Sequence, residues 1–419
     1  MRPSESVRNY TSTLRMYANF AARTVKKVCA DTPARIAGSA EELKAQQFMA
    51  AQVGDAADEV QKEEFTLSPK AYLGWLRPAG ILLIIASAVS ILNIFVAKDV
   101  TYAAFVWPVC CLCLCLIALV EYRLCGTAVD GLFPKATSQN LYCVRKAAGE
   151  TKRRIVFEGG ADSSYEPRYH YLGGKKFVTF IVIYPAVGLL YNTGVSVFAI
   201  LQGEVTPLLS ILYWVSLAFL PGYLLLLGFV NHKVVSDGAN FNLTGCMTGA
   251  AVLKFMGDND IRLENTEVAA LFSGAEKAGV RGAQAAAKAH SDWKDADVET
   301  VVISFGNIKD LEALTVCTSD LHGSVKHDGK VTALLQKAAE LSEISVKSGK
   351  CPYGVSGAAF FAKAGVKTGL VTAVETPLPE SFNTREDKAD TIELRTIEKA
   401  IGLALEAAFR FDENGLAVS

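Results

Sequence analysis

Asp237-Gly238-Ala239-Asn240-Phe241-Asn242-Leu243-Thr244-Gly245 opens the part of the chain whose reading decides the fold. A glycine-bearing polar turn with one ring in it, Phe241, leads into a helical pattern over residues 243–256. Beyond it the periodicity switches repeatedly between 2 and 3.6. The spacing predicts a strand at 268–272, a helix at 276–290, strands at 300–305 and 314–318, a helix at 330–346, a strand at 368–374 and a closing helix at 391–411. Strands alternating with helices imply an α/β fold, a mixed and mostly parallel sheet sandwiched by helices.

Upstream, helical stretches at 7–29 and 40–53 precede Glu59-Val60-Gln61-Lys62-Glu63-Glu64-Phe65-Thr66-Leu67, whose alternation suits a half-buried strand. Two strand-length pieces follow at 140–144 and 154–157. Between these pieces lie four apolar runs, residues 80–97, 102–120, 177–201 and 208–230, free of charge. Each is about 18 to 25 residues, enough to cross roughly 30 Å of hydrocarbon. They form two hairpins joined by the short links 98–101 and 202–207. The expected organisation is one α/β domain assembled from 1–70, 123–176 and 231–419, interrupted by transmembrane hairpins at 71–122 and 177–230.

Composition agrees with partial membrane residence: of 419 residues, 51% are hydrophobic. Lys70, Arg77, Arg123, Lys175, Lys176 and Lys233 flank the ends facing the bulk of the chain, whereas the short links carry only Lys98, offset by Asp99 and Glu204. The positive-inside rule then places the soluble part on the cytoplasmic side of the cell membrane. Ten cysteines are present, but Cys110, Cys111, Cys113 and Cys115 fall inside the second run and the others are scattered, so reduced thiols are expected rather than a disulfide framework. Formal net charge of -1 offers no nucleic-acid footprint.

Five motifs, in order, carry a resemblance: Thr32-Pro33-Ala34-Arg35-Ile36-Ala37-Gly38-Ser39; Ser138-Gln139-Asn140 with Arg154-Ile155-Val156-Phe157; the opening stretch itself; Gly274-Ala275-Glu276-Lys277-Ala278-Gly279-Val280-Arg281-Gly282; and the pair Tyr353-Gly354-Val355-Ser356-Gly357 and Phe382-Asn383-Thr384-Arg385-Glu386-Asp387. Together they resemble metallopeptidase family 28, the zinc aminopeptidases of clan MH. The resemblance implies an aminopeptidase-like fold in a membrane-embedded, bacterial-type member. It also implies that the first three strands form an antiparallel meander, so that both hairpins leave the sheet at one edge. In that family two zinc ions held by His and carboxylates acidify a shared water, and a free Glu relays its proton.

On that alignment, the ligand positions are degenerate. The His of the family's His-x-Asp is Gly160, with the orienting Asp kept as Asp162; the bridging Asp is Phe241; the general-base Glu is Ala275, with the ligand Glu kept as Glu276; the next Asp is Gly306; the terminal His is Asn383. Loss of four ligands leaves no plausible dinuclear centre. The expectation is a pseudoenzyme with no cofactor, whose former pocket, made apolar by Phe241, binds a peptide, a lipid or a membrane-protein partner at the lipid bilayer. The alternative is a zinc-dependent hydrolase using Asp162, Asp237 and Glu276. His322 and His327, in a polar turn, match no common zinc spacing.

Overall fold

The computed structural model describes residues 2–295 and 297–417. The chain divides into two compact units, residues 1–69, 135–165 and 235–419 in the first and residues 70–134 and 166–234 in the second.

Eleven strands occur among the described residues: β1 (Glu59–Leu67), β2 (Ala136–Arg145), β3 (Arg153–Gly160), β4 (Tyr165–Pro167), β5 (Val230–Val235), β6 (Thr266–Ser273), β7 (Glu299–Ile308), β8 (Leu314–Asp320), β9 (Val325–Lys326), β10 (Lys347–Lys350) and β11 (Lys367–Ala373). Nine make the sheet of the first unit in the order β1-β2-β6-β3-β7-β11-β8-β10, with β9 beside β8; β4 and β5 form a separate ribbon. The central strands β6, β3, β7 and β11 run parallel, and β1–β2 and β2–β6 are antiparallel. The expected mixed α/β sheet is therefore present, but the meander is not. β6 enters between β2 and β3, because the parallel β3 and β6 can pair over eight residues of continuous register. The ends of β1 and β3 nevertheless lie at the same end of the sheet, since β1 and β3 both run against β2.

One face of the sheet is covered by helices Tyr10–Asp31, Ala40–Val53, Thr244–Asp258, Gly329–Leu341 and Leu394–Asn414, whose apolar residues join Leu141, Ile155, Phe157, Phe272, Ile303 and Phe305 in a single core. Helix 244–258 is central and almost wholly buried. It gets that close through glycine: a Cβ on Gly245 would strike the carbonyl of Phe305, and one on Gly249 would lie 2.8 Å from Cβ of Phe157. Its N-terminus is thereby fixed over the carboxyl ends of β3 and β7.

Two helix boundaries differ from the sequence expectation. The helix expected from residue 276 starts at Arg281, because Ala275, Gly279 and Val280 take positive φ and Glu276 turns back to accept the Ala283 N–H at 3.0 Å. The helix expected to reach 346 stops at Leu341; Glu343 has φ of 53°, and the chain then enters β10.

In the second unit four helices are long and apolar enough to cross a membrane: Ala71–Ala97, Thr101–Arg123, Arg168–Gln202 and Pro207–Leu226. They pack on one another through Leu83, Trp107, Leu189 and Tyr223, and through Ala103, Val195, Leu209 and Tyr213. Polar side chains bond across this interior: the Trp107 indole N–H donates to Ser90 Oγ at 2.9 Å, Asn192 Nδ2 to the Tyr223 hydroxyl at 3.1 Å and Ser196 Oγ to the Ala103 carbonyl at 2.8 Å. The third helix is broken near its start, where Gly173 and Gly174 leave helical geometry. All ten cysteines are free thiols.

Candidate functional site

The aligned ligand and general-base positions lie around the carboxyl ends of the parallel strands, where open α/β sheets place their sites. Gly160 ends β3, Gly306 lies near the end of β7, Ala275 and Glu276 follow β6, and Phe241 sits in the turn that feeds helix 244–258. Asn383 comes in from the loop after β11, with φ of 56°, and its carbonyl accepts a hydrogen bond from Ser164 Oγ at 3.3 Å.

The turn is clamped from two sides. Asp162, fully buried, accepts from Asn242 Nδ2 on Oδ1 at 2.8 Å and from the Lys277 backbone N–H on Oδ2 at 2.9 Å. Asp387, equally buried, accepts from the Asn240 N–H at 2.8 Å and its side-chain amide at 3.1 Å, and from the Phe241 N–H at 3.3 Å. Gly238 allows the approach by taking φ of +60° directly under the Asp162 carbonyl. Burial pushes the Asp162 carboxyl up to about 6 and raises that of Asp387, while the hydrogen bonds named here oppose the rise. These two carboxylates are spent on backbone and amide donors.

The space that ligand side chains would need is taken by other residues. A Cβ at Gly160 would collide with Oδ1 of Asn242, and a Cβ at Gly306 with the Tyr353 hydroxyl. Phe241 is completely buried, its ring edge-on to Phe382 with centroids 5.1 Å apart, and Phe382 stacks on Tyr353 at 6.2 Å. The former pocket, expected to be apolar through Phe241, holds that ring buried rather than at its surface. The ring is a floor, packed against Phe382, and Glu276, Lys277, Gly306, Tyr353, Phe382 and Asn383 are half-buried.

Two ammonium groups flank the aromatic floor. Lys277 Nζ donates to the carbonyl of Phe241 and lies 5.6 Å from the Phe382 ring centre. Lys309 Nζ lies 5.0 Å over the Phe241 ring and donates to Ser381 Oγ at 2.8 Å. Lys309 also borders a cavity of about 220 Å³ shared with Asp310, Val374, Glu375, Pro379, Thr391 and Glu393.

Sequence reasoning did not single out Lys277, Asn242 or Tyr353. Nor did it give a role to Glu42, which is fully buried and accepts from the Gly38 N–H at 2.6 Å, the Ala275 N–H at 2.7 Å and Ser138 Oγ at 2.8 Å. Burial, with Asp162 nearby, pushes that carboxyl up to about 8. A signal was present for Glu42 alone, three residues after the N-cap Ser39, whose Oγ accepts the Glu42 N–H at 3.1 Å. Asp237 does not join the other carboxylates: its side chain lies 3.8 Å from Lys388 Nζ, and its carbonyl accepts from Arg35. His327 lies beside Thr368 and Asp320, and His322 packs against Gly354, its backbone N–H donating to the Gly354 carbonyl at 2.6 Å.

A pair of zinc ions does not fit this set. Among the described residues no three or more His, Cys, Asp or Glu side chains are grouped as a metal would require. Glu276 Oε1 is engaged with the Ala283 N–H, and at the remaining positions stand two glycines, a ring and a carboxamide.

Residues 219–408 match the model of Peptidase family M28. No curated protein matches the sequence. Among solved structures, the chain is similar to the aminopeptidase from Aneurinibacillus sp. strain AM-1, with 14% identity, coverage of 96% of this chain and 95% of that one, and a TM-score of 0.55. It is also similar to a zinc aminopeptidase from Bacillus subtilis, with 13% identity, 94% of each chain covered and a TM-score of 0.54. A glutaminyl cyclase from Bacteroides thetaiotaomicron, solved with N-acetylhistamine, shares 12% identity over 94% of this chain and 97% of that one at a TM-score of 0.50, so the fold by itself carries more than one chemistry. Over residues 219–408 the chain is similar to peptidase family M28, and along nearly its whole length it shares the fold of these aminopeptidases.

Proposed function

We propose that this protein is a membrane-anchored pseudopeptidase: an aminopeptidase-like domain without metal or hydrolytic activity, facing the cytoplasm, that holds a peptide-type ligand at its former active site. The observation that supports this most is the filling of the vacated ligand positions. Asn242 and Tyr353 occupy the space in front of Gly160 and Gly306, and the Phe241 ring lies packed under Phe382. A site that had merely lost ligands would leave room for them.

The half-buried aromatic groups and the cavity beside Lys309 suit an extended peptide better than a lipid chain. Half-buried Tyr353 and Phe382 offer faces for side chains, Lys309 offers a cation for carbonyl or carboxylate groups, and the cavity beside it adds the carboxylates of Asp310, Glu375 and Glu393 for an amine. The apolar helices supply the anchor to the bilayer.

Metal analysis of the detergent-purified full chain tests the reading. The expected result is less than a tenth of a zinc per chain and no release of aminoacyl-anilide product. About two zinc per chain, lost on Glu276→Ala, would sink it and favour the hydrolase with unusual ligands.

A further inference from the structure

The basic residues at one end of the apolar helices lack acidic partners. Arg77, Arg168, Lys70 and Lys233 are exposed, and among the described residues none of them forms an ion pair with a carboxylate. Lys62 and Arg262, on the sheet unit, have theirs in Glu64 and Asp58. The two arginines meet at one turn, Leu227–Gly228, which joins the end of helix Pro207–Leu226 to β5. Arg77, near the start of helix Ala71–Ala97, donates from Nε to the Leu227 carbonyl at 3.2 Å. Arg168, which opens helix Arg168–Gln202, donates its backbone N–H to the Phe229 carbonyl at 3.1 Å, and its Nη1 lies 3.4 Å from where a Cβ on Gly228 would stand. Their chain neighbours Leu76 and Tyr169 pack with Phe229 and Ile181 in one apolar cluster, which fixes the turn beneath both guanidinium groups. On β5, burial first and then the charges of Lys70 and Arg77 hold the His232 imidazole below its ordinary range, and exposed Lys233 follows it.

We propose that Arg77 and Arg168, with Lys70 and Lys233 around them, form a site for the phosphate of an anionic glycerophospholipid. This rests on the membrane anchor of the reading above and specifies the lipid that the anchor selects. A guanidinium presents a planar fork of donors that matches phosphate oxygens, and here two forks stand at the same three residues. Like charges held together with no counter-charge repel, so an anion seated between them removes that cost as well as adding its own attraction.

The surface next to the arginines favours a lipid over a free anion. Gly80 lets the first and fourth helices touch, since a Cβ there would lie 2.8 Å from the Tyr223 carbonyl. Ile81 and Leu224, each next in the chain to one side of that contact, are exposed, as is Leu82. Ile81 is four residues on from Arg77 and shares its helix face. A molecule with its phosphate at the 227–229 turn can therefore lay acyl chains along these side chains. Inorganic phosphate gains nothing from them.

Equilibrium binding of radiolabelled dioleoyl phosphatidylglycerol to the full chain in a neutral detergent tests this, with unlabelled dioleoyl phosphatidylcholine and inorganic phosphate as competitors. The expected result is saturable binding that neither competitor displaces at a concentration equal to that of the labelled lipid. Arg77→Gln and Arg168→Gln should each weaken it by about fivefold, and the double variant by more than about tenfold. Lys98→Gln removes the same charge just past the other end of helix Ala71–Ala97 and should leave the affinity unchanged. Displacement by phosphatidylcholine, or an unchanged affinity in the double variant, would overturn the proposal. An equal loss in Lys98→Gln would also overturn it, by showing an effect of bulk charge, and displacement by inorganic phosphate would do so by showing a free-anion site. If an arginine variant does not fold, Lys70→Gln takes its place under the same criteria. A chain that leaves the membrane in an alkaline wash sinks the anchor together with this site, whereas an integral chain indifferent to headgroup charge sinks only the site.

Discussion

At the scale of the residue, the site is a record of side chains standing in for one another. Restoring a single ligand should therefore not restore a metal. Gly160→His has to displace the Asn242 amide that holds Asp162, so it is expected to cost about 1 to 3 kcal/mol and to bring no zinc with it. Thermal unfolding paired with metal analysis checks both halves. Glu42 gives a pH signature. Its carboxyl moves from an ordinary 4.5 to about 8 in the fold. Below pH 4.5 it is protonated in folded and unfolded chains alike; between 4.5 and 8 the unfolded chain alone gives up its proton, so this group's contribution to stability falls as pH rises. Glu42→Gln should accordingly lose stability at pH 5, where it spoils the bonds to Gly38, Ala275 and Ser138, and the gap to wild type should close by pH 8.5. A gap that widens with pH would contradict the assignment.

At the scale of the element, helix 244–258 matters most because it delivers the turn that carries Phe241. Its glycines touch backbone where any side chain would clash, so Gly245→Ala should cost about 1 to 3 kcal/mol and alter ligand binding along with stability. Gly54→Ala, with nothing within 4 Å of the added carbon, serves as the neutral control in the same unfolding experiment. Most elements were legible from periodicity: helix Ala40–Val53 and strand β1 fall where alternation and capping put them. The exceptions share a cause. The loop at 274–280 and the stop at Leu341 depend on positive φ at Ala275, Val280 and Glu343, residue types that do not advertise it. β10, only four residues long and polar, has no pattern to read and is made by pairing with β8.

At the scale of the whole molecule, one unit carries the sheet and the site and the other carries four apolar helices. Leu92, Val96, Phe105, Leu112, Leu190 and Ile211 on those helices are exposed, an apolar surface that a soluble protein does not tolerate and a bilayer requires. The full chain should stay with the membrane through an alkaline carbonate wash and be released by detergent; recovery in the wash supernatant would contradict a spanning anchor.

What the sequence determined by itself were the properties that live in short windows or single side chains. The longer strands and helices follow from periodicity, the four runs from length and hydropathy, and the absence of His or carboxylate at 160, 241, 306 and 383 from residue identity alone. Tertiary structure decided the rest. It put β6 between β2 and β3, buried Phe241 instead of displaying it, and brought Asn242 to Gly160, Tyr353 to Gly306 and the Lys277 amine to the Phe241 carbonyl. Those partners are separated along the chain by up to 82 residues in the case of Asn242 and Gly160, and only the close packing of a folded core settles which side chain fills a space another has left.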